Sequence, residues 1–339
     1  MADKQAEETK AGLISAAEPQ NMSPTESQSV SAAGPEGVSV PSAGGPGFFR
    51  NPGLPFIFVR VCIYLVFADV LGYAVILLAR LVLPPFPTLG LPQQQGLSEI
   101  AAVAGAFGSA RIMAFLEKRQ FGEYGLPWKG AFGKLFWQGA AFGLVEISAV
   151  VAAMAACGAY KLGTVILHGR ELVGWLLFWA AVLLLVGFYE EFAFRGYVQF
   201  TAAQGIGFWA AAIVLSLVFG LRHAMNPGET WPGLASVVLS GLFWCFTLQR
   251  TKSLWFAVGM HASFDFGETF LYSVPDSGTI FPGHLSSAVV AGPAWITGGT
   301  AGPEAGVFDF AVILLFFYVF HRWYPMAASE AAQAAQTEN

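Results

Sequence analysis

Apolar windows of about 18 or more residues recur along this chain, each long enough to cross roughly 30 Å of hydrocarbon as a helix rising about 1.5 Å per residue. Inside lipid every backbone N–H and C=O needs an internal partner, so helices and closed barrels are the spanning solutions. The period-two alternation of a barrel strand is absent. The chain is therefore expected to be an all-α polytopic membrane protein, with about eight transmembrane helices and a polar site inside the bundle. Its composition agrees: 55% of residues are hydrophobic and only 12% charged, about half the charged share of an average soluble domain. The net charge of −5 arises largely in the N-terminal segment, and it is not the balance of a nucleic-acid binder. Cys62, Cys157 and Cys245 lack any C-x-x-C spacing and read as small hydrophobes.

Residues 1 to about 47 are rich in Ala, Ser, Glu, Gln, Pro and Gly and hold almost no large apolar side chain. Such a segment buries too little surface to offset its ordering entropy, so 1–50 is expected to be a disordered tail. It lacks the basic region and apolar core of a secretory signal, which leaves the first apolar helix to direct insertion. The transmembrane domain is expected over 51–325, with spans near 56–82, 97–115, 134–156, 172–200, 207–223, 233–249, 253–273 and 306–324. Residues 326–339 read as a frayed tail, and the Gly/Pro-rich 291–303 stretch as a turn-forming loop, not a span. Lys118, Arg119, Lys129 and Lys134 crowd the second connection, which places it and both termini in the cytoplasm. The 274–305 loop has no Lys or Arg and falls outside, whereas Lys161 and Arg170 run against the rule. No fixed-period repeat is present, which weakens a transporter built from duplicated halves.

Ionisable residues inside an apolar span mark a site by default. The stretch Gly187–Tyr197 ends a long apolar run with Glu190, Glu191 and Arg195. Glu191 and Arg195 are four apart, so they share a helix face and can pair, while Glu190 lies about 100° away and is left for other work. If spans four and five fold back around Gln204–Gly207, Glu190 and His223 reach the same level, since both legs measure roughly 23–26 Å. His261 and Asp265 share a face of span seven, with Glu268 close to that face. Two histidines and several carboxylates suit a catalytic zinc, or another divalent metal, held by Glu190, His223, His261 and Asp265. They equally suit a metal-free site, in which Glu190 and His223 activate water while His261 and Asp265 stabilise an oxyanion. The bland alternative is a set of buried ion pairs that merely lock helices together. Arg60, Asp69, Arg111, Glu146 and Asp309 have no His companion and are assigned to helix–helix hydrogen bonding or snorkelling.

In this order, Glu-Glu-x-x-x-Arg (190–195), Phe-x-x-x-His (219–223) and His-x-x-x-Asp (261–265) resemble the motif set of the CPBP intramembrane proteases. That family includes type II CAAX prenyl endopeptidases and bacterial proteins of bacteriocin processing or immunity. The resemblance covers about 170–275, and the loop Thr297–Glu304 is similar to one of bacterial members. It implies an eight-helix endopeptidase with a chamber opening to the cytoplasm, acting on a peptide or lipid-modified protein at the cell membrane, a bacterial inner membrane by that likeness. By position, Glu190 would activate water, Glu191 and Arg195 support it, His223 assist, and His261 and Asp265 stabilise the oxyanion or ligate a metal. One position departs: eukaryotic and archaeal prenyl proteases carry Asn where this chain has Asp265. A non-catalytic scaffold or immunity protein is the alternative from another class.

Overall fold

The computed structural model describes Phe49 and residues 53–85 and 88–325. The two tails expected at 1–50 and 326–339 lie, Phe49 apart, outside the described residues. Ten α-helices are numbered here in chain order: α1 Leu54–Ala79, α2 Leu91–Glu117, α3 Lys134–Ala156, α4 Gly169–Arg195, α5 Tyr197–Ile206, α6 Phe208–His223, α7 Trp231–Thr251, α8 Trp255–Phe266, α9 Ala294–Thr297 and α10 Val307–Trp323. A π-helical turn, Gly267–Tyr272, extends α8, and the short strands β1 (Tyr160–Lys161) and β2 (Val289–Val290) pair antiparallel.

Among the described residues, five helical runs have the length and apolar character to cross a membrane: α1, α2, α3, the combined α4–α5 run and α7. The shorter α6, α8 with its π turn, and α10 run between the same two faces. At one face Leu254 N–H donates to Gly125 O, the Trp255 indole to Pro127 O, and Arg250 to Tyr324 O. At the other, β1 meets β2, Thr300 donates to Gly228 O and the Trp179 indole to Pro282 O. Large apolar side chains such as Phe58, Leu78, Leu177, Leu217 and Leu314 point outward, as a lipid-facing surface requires. The protein is an all-α polytopic membrane protein.

The expected span boundaries hold to within a few residues at most ends, with two corrections. Span four is not one helix to residue 200: α4 ends at Arg195, Gly196 takes an irregular conformation, and α5 sets off anew at Tyr197. A Cβ at Gly196 would collide with the Phe192 carbonyl and ring, so the break depends on glycine there. Span seven changes from α to π hydrogen bonding at Gly267, and π insertions are frequent at functional sites. The 291–303 stretch is a loop, as expected, with the single helical turn α9 inside it.

Close approach rather than side-chain bulk sets α8 in place. Gly139 and Gly143 on α3 face the carbonyls of Phe256 and Met260, and Gly259 on α8 faces Phe136 O, so that any Cβ at these positions would strike backbone. Small residues four apart let helix backbones approach in membranes, where burial of apolar area supplies no drive between helices. Arg60, fully buried, ties α1 to its neighbours by donating to Phe49 O at 2.7 Å and Gln204 Oε1 at 3.1 Å, with Glu117 at 3.6 Å. Glu117 in turn accepts from Tyr197 at 2.6 Å and Tyr124 at 3.0 Å. The helix-bonding role assigned to Arg60 and Asp309 fits: Ser236 donates to Asp309 Oδ2 at 2.7 Å, joining α7 to α10. Asp69 and Arg111 lie exposed on α1 and α2.

Candidate active site

Three helices deliver the polar groups to one place. α4 carries Glu190 and Glu191 in its last two turns, α6 ends at His223, and α8 presents His261 and Asp265 one turn apart. Glu190 Oε2 lies 4.0 Å from His223 Nε2 and 3.6 Å from His261 Nε2, and His261 Nε2 lies 3.5 Å from Asp265 Oδ2. The fold-back of spans four and five therefore matches its expected depth even though Gly196 interrupts the first leg. A separation of 4.0 Å is too long for a direct hydrogen bond and short enough for one water to bridge.

The expected Glu191–Arg195 pair forms at 3.2 Å, with both side chains essentially buried. Sequence reasoning missed its second half. Glu191 Oε1 also accepts from His261 Nδ1 at 2.8 Å, so the brace orients an imidazole as well as neutralising a charge. Trp244 of α7 stacks on His261 with ring centroids 4.5 Å apart at 11°, and the Arg195 guanidinium sits 4.2 Å over Phe219 and 5.1 Å over Trp244. Cation–π contacts of this kind are worth about 2 kcal/mol when desolvated. Nothing local marks Trp244 as part of a site, because a tryptophan in an apolar helix is ordinary core. His223 is fixed by Phe219 O, which lies 2.8 Å from its Nδ1. With each Nδ1 so engaged, the Nε2 atoms of both rings face Glu190.

These groups line a cavity of about 390 Å³ with Glu99, Tyr189, Arg222 and Asp276 also on its wall. Glu99, which sequence reasoning left among the apolar residues of span two, accepts from Gln95 at 2.9 Å. A larger cavity, about 470 Å³, opens at the opposite face against Arg195, Gln199, Gln204 and Lys252 and is not lined by Glu190 or His223. The converging Glu190, His223, His261 and Asp265 side chains belong with the smaller one. Glu268, expected near the His261 face, does not line that cavity. The π turn carries it behind Asp265, towards Asp276 and Glu304. Burial pushes the Asp276 carboxyl up to about 6, against the lowering effect of its bond from Thr269. Burial likewise raises Glu304, with Asp276 adding like charge, and raises Glu229 against the bond from Thr230 N–H.

The cavity is rimmed by 224–227 and 276–281, connections at the face opposite the basic 116–134 loop. Described lysines and arginines number seven at or beside the basic face (Lys118, Arg119, Lys129, Lys134, Arg250, Lys252, Arg322) against four at the cavity face (Arg80, Lys161, Arg170, Arg222). The cavity holding Glu190 and His223 therefore opens at the face opposite the 116–134 loop.

Residues 171–267 match the family model described as type II CAAX prenyl endopeptidase Rce1-like. No curated protein and no solved structure matches the chain. The match contains all six residues nominated from sequence, Glu190, Glu191, Arg195, His223, His261 and Asp265, and bears out the resemblance drawn from the three motifs. The chain is therefore a multi-pass, all-helical membrane protein whose residues 171–267 are similar to the type II CAAX prenyl endopeptidases, a family whose members are generally proteases.

Proposed function

We propose that the chain is an intramembrane endopeptidase that hydrolyses peptide bonds of membrane-associated or lipid-modified proteins. The observation that carries this reading is the convergence of Glu190 Oε2 with His223 Nε2 and His261 Nε2 at 3.6 to 4.0 Å in a cavity at membrane depth. Water between Glu190 and His223 gives its proton to Glu190 as its oxygen attacks the scissile carbonyl; the Glu190 carboxyl then passes that proton to His223 Nε2, 4.0 Å away, which hands it to the departing amine as the C–N bond breaks. His261, held by Glu191 and Trp244, faces the developing oxyanion, and preorganised donors there supply much of the stabilisation. Arg195 acts through Glu191 as a positioning residue.

The donor set also fits a divalent metal such as zinc. Metal-bound histidines commonly give their other ring N–H to a carboxylate or carbonyl, and His261 and His223 engage Glu191 and Phe219 O in that way. Glu190, His223 and His261 would hold the ion, with Asp265 beside them, and its contribution would be to polarise water and carbonyl. The purified protein in detergent is expected to cleave a membrane-associated peptide and to lose turnover in Glu190→Gln and His223→Ala. Unchanged turnover in Glu190→Gln overturns the proposal. Stoichiometric metal that disappears in His261→Ala selects the metal form, and absence of metal from an active protein selects the glutamate form. Correctly folded protein without turnover on any peptide, paired with loss of a binding partner in the variants, would favour the non-catalytic scaffold.

Lys/Arg asymmetry favours a cytoplasmic basic face, and we extend the proposal to a chamber that receives substrate from the other side. In a chain whose exposed Cys157 is changed to Ser, impermeant thiol reagents added to intact cells are expected to label Ser277→Cys and spare Lys129→Cys; the reverse pattern restores a cytoplasmic mouth.

A further inference from the structure

A second cluster of carboxylates adjoins the chamber and shares only Asp265 with the residues of the hydrolytic reading. Asp265 from the last turn of α8, Glu268 from the π turn and Asp276 from the following loop each bring one oxygen to within 4.8 Å of the other two. Asp276 is held in place by the Thr269 hydroxyl, which donates to Oδ2 at 2.7 Å. Glu268 is 0% exposed, and neither of its oxygens has a hydrogen-bond partner. Glu304 and Asp309 add like charge around it, each with one buried oxygen that also lacks a partner.

Buried carboxylates are ordinarily paired, hydrogen-bonded or coordinated to a metal. The 274–305 loop contains no Lys or Arg, and His261, whose Nε2 stands 3.5 Å from Asp265 Oδ2, leaves both Glu268 oxygens without a partner. An all-oxygen set excludes the nitrogen and sulfur preferences of zinc and suits a hard cation. Calcium–oxygen bonds of about 2.3–2.6 Å allow opposite ligands to stand roughly 4.6–5.2 Å apart, which accommodates this spacing without rearrangement. Access is available because Asp276 is only half-buried and lines the 390 Å³ chamber.

We propose that Asp265, Glu268 and Asp276 hold a calcium ion that fastens the 274–305 loop to the end of α8. The site is independent of the hydrolytic reading and of any metal held by Glu190 and the two histidines, since it uses no imidazole and two of its three ligands lie outside that set. Three carboxylates, one each from the end of α8, the π turn and the loop, resemble extracellular calcium modules in donor charge, for which dissociation constants of about 10⁻⁴–10⁻³ M are typical. The loop faces away from the basic side of the membrane, where such calcium levels are met.

The test uses the full chain in detergent, stripped with chelator, then equilibrated with radioactive calcium while proteolysis of the 274–305 loop is followed. One calcium per chain should bind saturably and protect the loop. Glu268→Gln and Asp276→Asn should each weaken binding by at least about tenfold, the loss expected even for partners behind the ligands. Should Glu268→Gln fail to fold, Asp276→Asn, placed in the loop, decides alone. Glu190→Gln, which leaves all three ligands in place, should bind calcium normally. Absence of saturable uptake to roughly 10 mM, well above the extracellular range, overturns the proposal, as does uptake unchanged in both ligand variants or lost in Glu190→Gln.

Discussion

Two buried polar clusters sit within a few turns of each other on α8 and are built on opposite principles. In the first, around Glu190, the charges have counterparts: Glu191 meets Arg195 at 3.2 Å, His261 meets Glu191 at 2.8 Å, and His223 is anchored on Phe219 O at 2.8 Å. In the second, around Glu268, five carboxylates gather and buried oxygens of three of them have no partner. In the first, Glu191 Oε2 and Arg195 Nε and Nη2 also lack a hydrogen-bond partner, but each of these side chains has an opposite charge beside it. The second needs something added, a proton or a cation, before its burial makes energetic sense.

Mutations that remove charge should therefore act with opposite sign in the two places. The largest expected effect is on chemistry: Glu190→Gln should lower turnover by about 10²–10⁴-fold, the range typical of a lost general base, in a steady-state peptide assay, with the melting temperature little changed. Next, Arg195→Ala leaves Glu191 buried and uncompensated and should destabilise the fold by about 3–5 kcal/mol, read by chemical denaturation in detergent. If Arg195→Ala were neutral, the first cluster would not be the matched set described here. Glu268→Gln should do the reverse in calcium-free buffer, raising stability by about 1–3 kcal/mol as a buried unpaired charge is removed, and should abolish the stabilisation that calcium gives the parent protein. Destabilisation by this change in calcium-free buffer would show that Glu268 already has a partner. The smallest effect is expected for Ser236→Ala, about 1 kcal/mol for a hydrogen bond that serves one carboxylate at the edge of the second cluster.

Much of the first cluster was legible from residue order. Helical spacing put Glu191 with Arg195 and His261 with Asp265, and counting residues back from the Gln204–Gly207 turn brought Glu190 to the depth of His223. The brace from Glu191 to His261, the Trp244 stack and the place of Glu99 were not legible, because each joins residues from different helices whose rotation about their axes no periodicity fixes. The second cluster was missed for a related reason. Asp276 and Glu304 lie in a loop, and Glu268 was phased as if α geometry continued, whereas the π turn at Gly267 shifts every later residue around the axis.

The sequence by itself determined that this is a helical membrane protein and which ionisable residues occupy its core, because lipid forbids unpaired backbone and makes every intramembrane charge conspicuous. It also distributed Lys and Arg unevenly between the connections, with Lys118, Arg119, Lys129 and Lys134 in one of them. Only the tertiary structure decided that the chamber opens at the face opposite the 116–134 connection, that one glutamate orients an imidazole while its neighbour faces the cavity, and that five carboxylates converge beyond them. Those outcomes depend on helix rotation, on close α3–α8 contact at Gly139, Gly143 and Gly259, and on the path of a loop, all set by packing between segments distant in the chain.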